Sequence, residues 1–73
     1  MYEELNNIFP NQYWFYEVSG LTMTEAMDRC ARLTGNAAHV INYQGRIVFA
    51  SVHEIGNDIP WLSLIGGPQS NEE

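Results

Sequence analysis

The apolar positions of this chain fall into two periods, one helical and one alternating. Met23, Ala26, Met27, Cys30 and Ala31 recur at i, i+3, i+4, i+7 and i+8, which draws one apolar stripe along a helix, with Leu33 on its flank. Thr22-Met23-Thr24-Glu25 has the spacing of a capping box, in which the Thr hydroxyl and the Glu carboxylate each accept a backbone N–H from the other's residue. Leu21 and Ala26 can form the hydrophobic staple beside it. Glu25–Arg29 and Asp28–Arg32 are i,i+4 pairs with the acid N-terminal, and Gly35 stands where a left-handed residue ends a helix. Together these signals predict a helix over residues 23–34.

On either side of it the period changes to two. Tyr13-Trp14-Phe15-Tyr16-Glu17-Val18 is a run of strand formers closed by Ser19-Gly20. Alternation puts Trp14, Tyr16 and Val18 on one face and Tyr13, Phe15 and Glu17 on the other. Residues 38–43 and 46–52 read as a hairpin around Gln44-Gly45, in which Tyr43 faces Arg46, Ile41 faces Val48 and Val40 faces Phe49. Ala38, Val40, Ile47 and Phe49 then share one face, and His39, Ile41, Val48 and Ala50 the other. A segment at 61–65, with Trp61 at its start, supplies a fourth strand or a packed extension. The expected fold class is α+β: a small single domain, β-α-β-β(-β), with a three- or four-stranded, mainly antiparallel sheet and one helix packed on one face. The domain spans 1–65 in this reading, and 66–73 forms a flexible acidic tail.

One helix shields one sheet face, yet both faces carry large apolar side chains. The remainder, Tyr13 and Phe15 with part of the hairpin, needs a cover. The N-terminal Leu5, Ile8 and Phe9, the segment from Ile59 to Ile65, or another molecule can supply it.

Length and charge narrow the function. At 73 residues there is room for one domain, which buries only about 60% of the surface its unfolded chain exposes. Partner binding or self-association is the available source of further burial, because Cys30 is the only cysteine and can form neither an intrachain disulfide nor a zinc cluster. A lone thiol suits a reducing compartment, so the expected location is cytoplasmic, the host cytoplasm if the protein is viral. The acidic N-terminus has no basic n-region, and no apolar run reaches the ~20 residues of a membrane span. Three arginines and no lysine stand against nine acids, a net charge of −6. That sign opposes direct phosphate binding and favours encounter with a basic protein surface.

No motif of known chemistry appears, whether a nucleophile elbow, a phosphate loop, a metalloprotease helix or a calcium loop. Cys30 lies on the apolar stripe away from any feature that would activate it, and His39 and His53 are not cross-strand partners in the hairpin register. No catalytic residue, metal or cofactor is therefore expected. The layout over residues 12–53, in size, acidity and strand–helix–strand order, resembles that of small phage-encoded proteins that inhibit host polymerases, nucleases or CRISPR complexes. The resemblance rests on no matching residues and carries no site with it. It agrees with the reading of a non-enzymatic inhibitor or regulator that binds a basic, nucleic-acid-handling protein, with Glu17, Glu25, Asp28, Glu54 and Asp58 for electrostatics and Tyr13, Phe15 and Trp61 as anchors. The alternative is a homodimeric assembly module that pairs through the uncovered sheet face.

Overall fold

In the computed structural model, which describes residues 3–9, 12–35, 39–56 and 58–68, the chain runs α1 (Glu3–Ile8), β1 (Trp14–Val18), α2 (Met23–Thr34), β2 (His39–Tyr43), β3 (Arg46–Ser51) and β4 (Leu62–Gly66). The four strands form one antiparallel sheet in the order β2-β3-β1-β4. This is the expected α+β arrangement, with the fourth strand present.

The capping box at the start of α2 is fully made: the Thr22 N–H donates to Glu25 Oε1 at 2.9 Å, and the Glu25 N–H to Thr22 Oγ1 at 3.2 Å. Gly35 ends the helix at φ 75°, in the left-handed region, with its N–H on the Ala31 carbonyl. The β2–β3 hairpin has the anticipated register, from Tyr43↔Arg46 to His39↔Ala50. Its turn residues Gln44 and Gly45 both have positive φ, as the tight turn of a two-residue hairpin requires, and the Asn42 side-chain oxygen accepts the Gly45 N–H at 3.2 Å. Ala38, expected to open β2, lies outside the described residues.

The sheet separates two apolar layers. On one face, Tyr16, Val18, Phe49 and Leu62 meet Ala26 and Cys30 of α2, with Trp14, Val40, Ile47, Ile55, Ile59 and Trp61 packed around them. On the other, Phe15, Val48 and Ala50 meet Leu5 of α1, flanked by Phe9, Tyr13, Ile41, Tyr43 and Ile65. The face assignments read from alternation therefore hold strand by strand.

Of the candidate covers for the second face, the N-terminal segment takes the place: α1 lies over it, and Leu5 is fully buried there. Two expectations need correction. The apolar stripe of α2 is narrower than its spacing implies, since Met27 and Leu33 are exposed while Ala26 and Cys30 are buried. α2 lies mainly over β2 and β3, and two small side chains, Ala26 and Cys30, seat it against the sheet. The domain also extends past residue 65. Gly66 pairs with Phe15, and a Cβ on Gly67 would meet the Trp14 ring at 3.0 Å, so a side chain there would press on that half-buried indole. Residues 69–73, assigned to a tail, lie outside the described residues.

Candidate protein-binding surface

The residues singled out for binding do not form one surface. Tyr13, Phe15 and Glu17 belong to the α1 side of the sheet, whereas Trp61 packs on the α2 side. Phe15 has no accessible surface, so it is a core residue and not an anchor. The reason is α1 and the Phe9 that follows it, whose ring centroid lies 6.0 Å from that of Phe15. α1 covers this sheet face where Leu5 meets Phe15, Val48 and Ala50. Tyr13 is half-buried between Phe9 at 5.0 Å and the edge of His39 at 5.8 Å. Glu17 is half-buried and paired with Arg46, Oε2 to Nε 3.8 Å. Its charge is thereby matched within the chain.

The α2 side differs. Trp61 follows Pro60 in a turn closed by the Leu62 N–H donating to the Ile59 carbonyl at 3.0 Å, with proline at the turn position its fixed φ suits. Its own carbonyl accepts the Ser19 N–H at 3.0 Å, so its backbone is held while its ring remains half-exposed. The Arg29 guanidinium lies 5.7 Å from the centroid of that ring, within cation–π range. This contact was not anticipated from the sequence, because the i,i+4 rule assigns Arg29 to Glu25. Glu25 is instead turned towards the helix start by the capping box, and the bonds from the Thr22 backbone and side chain hold its carboxyl below the usual range, with the Arg29 charge a smaller contribution. Asp28 makes the expected pair with Arg32 at 3.3 Å, at an exposed position.

Between β3 and β4 the loop carries Glu54 and Asp58, both exposed and both outside any ion pair among the described residues. The loop is anchored from within. Ile55 and Ile59 pack on the α2-side core, and the Ile55 N–H donates to the Tyr16 hydroxyl at 2.7 Å. The Ser51 hydroxyl accepts the His53 N–H at 3.1 Å, which fixes the exit from β3. The two carboxylates therefore project from a loop whose apolar side chains hold it to the sheet beside Trp61.

Another pairing escaped the sequence. Glu4 of α1 accepts from the Tyr43 hydroxyl at 2.7 Å and from Gln44 Nε2 at 3.2 Å, which ties α1 to the hairpin turn. The bond to Glu4 raises the Tyr43 pKa. No local spacing rule reaches a partner 39 positions away. As for reactive groups, burial pushes the Cys30 thiol up to about 11, and no group of His, Cys, Asp and Glu among the described residues could hold a metal ion. No helix is long and apolar enough to cross a membrane among the described residues. Compared with known proteins, the chain matches no family model, and neither a curated sequence nor a solved structure shows significant similarity to it.

Proposed function

We propose that this small α+β domain is a non-enzymatic binding protein that occupies a basic groove on a nucleic-acid-handling protein and so blocks access to it. The observation that carries this reading is the distribution of compensated charge. Each arginine is engaged within the chain, Arg32 and Arg46 in ion pairs and Arg29 over Trp61, while Glu54 and Asp58, on an anchored loop, form no ion pair among the described residues. The field around that loop is negative, and a basic groove shaped to hold phosphates is the surface it attracts most strongly. Trp61 supplies the apolar, partly desolvated contact that a hot spot needs, with Asp58 three residues before it, Glu54 further back on the same loop, and Glu25 and Asp28 on α2 as the charged surroundings. Tyr13 and Glu17 are on the other side of the sheet and play no part in this contact. The resemblance in layout to small phage-encoded inhibitors makes polymerases, nucleases and CRISPR complexes the first targets to examine, in the cytoplasm, that of the host if the protein is viral.

The test begins with affinity capture from the source cell and continues with association kinetics on the captured partner. Joint reversal at Glu54→Lys and Asp58→Lys is expected to slow association at low salt and flatten its dependence on ionic strength. Trp61→Ala is expected to speed dissociation. An association rate that stays the same in the double reversal, at every salt concentration, overturns the reading.

A further inference from the structure

β2 is an edge strand, and among the described residues it has none of the usual protections. It contains no lysine, acid or proline, and its pairing with β3 is regular over all five residues, with no bulge. The other edge, β4, has a register shift opposite Phe15 and Tyr16, a feature that limits further pairing. In the two-residue hairpin, Tyr43↔Arg46 is a hydrogen-bonded pair, and alternation makes Ile41↔Val48 and His39↔Ala50 hydrogen-bonded as well. The backbone N–H and C=O of Val40 and Asn42 therefore point away from the sheet, where no strand lies among the described residues.

A second, independent feature lies above this edge. α2 rests over β2 and β3, and Arg29 directs one helix flank towards Trp61, on the β1–β4 side. Met27 is two residues away, about 200° round the helix, so its flank overhangs the outer edge of β2. That flank is Met27, Ala31 and Thr24, uncharged throughout, with Met27 half-exposed. On a chain of net charge −6, an uncharged strand edge and an uncharged helix flank fall side by side.

We infer that two copies of this chain join through β2 in antiparallel fashion, about a two-fold axis at Ile41 and normal to the sheet, to form one continuous sheet. Under that symmetry Val40 of each copy faces Asn42 of the other, and their outward N–H and C=O groups exchange on both sides of the axis. Ile41 meets Ile41 in a non-hydrogen-bonded pair, and His39 faces Tyr43. Both α2 helices fall on the same side of the joined sheet, roughly 10 Å apart, which is a normal helix-packing distance. Met27 and Ala31 then fill the seam between them. The occupant is a second copy and not the basic partner, because the acids that would recognise a cation lie elsewhere: Glu54 and Asp58 on the loop, Glu25 and Asp28 on the helix arc turned away from Met27. Of the charges flanking the strand, Glu4 is held by Tyr43 and Arg46 is paired with Glu17, and on the helix Asp28 is paired with Arg32. Two like-charged chains meet with least repulsion at an uncharged seam. The dimer does not depend on the inhibitor reading, and it leaves Trp61 and its loop accessible on both copies.

Sedimentation of the full chain over a dilution series is expected to show a monomer–dimer equilibrium. Met27→Glu, at an exposed position, is expected to raise the dimer Kd by about tenfold or more through like charges across the seam. Leu64→Lys on β4 leaves it unchanged. Ile41→Cys reports the register: Cα atoms of a non-hydrogen-bonded pair are about 4.5 Å apart, within disulfide span, so mild oxidation is expected to give a covalent dimer, whereas Leu64→Cys gives none. A wild-type chain that stays monomeric throughout overturns the inference. A dimer sensitive to Leu64→Lys but not to Met27→Glu, or one that Ile41→Cys fails to cross-link, does so too.

Discussion

At the residue scale the most consequential polar group in the core is the Tyr16 hydroxyl. The Tyr16 ring is buried beside Phe49, and its oxygen is the acceptor for the Ile55 N–H, so one atom ties the β3–β4 loop to the second strand in sheet order from β4. Tyr16→Phe preserves the ring and removes the acceptor. Leaving a part-buried N–H without a partner costs about 1–3 kcal/mol, and that loss is expected in urea unfolding. Amide exchange at Ile55 should accelerate more than at residues of α2. Cys30 allows a complementary check. Burial places its thiol at about 11, so alkylation of the native chain at pH 8 is expected to proceed only through opening, with a rate that rises sharply in denaturant. Fast labelling in the native state sinks that view of the α2–sheet contact.

At the element scale, α2 is where local chemistry and tertiary packing agree most closely. Thr22→Ala removes the acceptor for the Glu25 N–H and one half of the capping box, for an expected loss of about 1 kcal/mol. The pH dependence has a definite sign. Glu25 has a folded-state pKa below its ordinary 4.5, so its contribution is present above that value and disappears as pH falls through the lower folded value. Thermal unfolding of Glu25→Gln is therefore expected to show a shallower acid decline than the wild type, and an identical decline rules out the cap as its source. The same agreement explains what was legible. Thr22, Glu25 and Gly35 fix both ends of α2 by short-range rules, and Gln44-Gly45 sets the register of the hairpin. α1 has no such signals: its six residues are too few for a stable isolated helix, and it exists because Leu5 and Phe9 find a sheet face to cover. The narrow buried stripe of α2 was equally hidden, because spacing counts Met27 as apolar without knowing that the sheet beneath it ends at β2.

At the scale of the whole molecule, the two apolar layers share their central strands. β1 and β3 send alternate residues to each face, so Tyr16 and Phe49 serve the α2 layer while Phe15, Val48 and Ala50 serve the α1 layer. That sharing also determined how much of the binding surface could be read in advance. Alternation separated Tyr13, Phe15 and Glu17 from Trp14, Tyr16 and Val18 correctly, but whether a face stays open depends on a segment whose Leu5, Ile8 and Phe9 give only a single turn of helical repeat and no cap. Phe15 was consequently mistaken for an anchor. Cooperativity follows from the same geometry. Both tryptophans, Trp14 and Trp61, pack on the α2 layer, whereas Leu5 is the fully buried side chain that α1 contributes to the opposite one. Leu5→Ala is expected to cost ~2–5 kcal/mol, comparable to what a core in a domain of this size supplies, and the dye-binding surface it uncovers includes Phe15. If the layers are coupled through β1 and β3, the tryptophan fluorescence midpoint falls with the far-UV signal in one transition, although no tryptophan lies on the side of the substitution. A tryptophan transition left in place while the far-UV signal moves separates the layers, and α1 is then a detachable cover and not part of the cooperative unit.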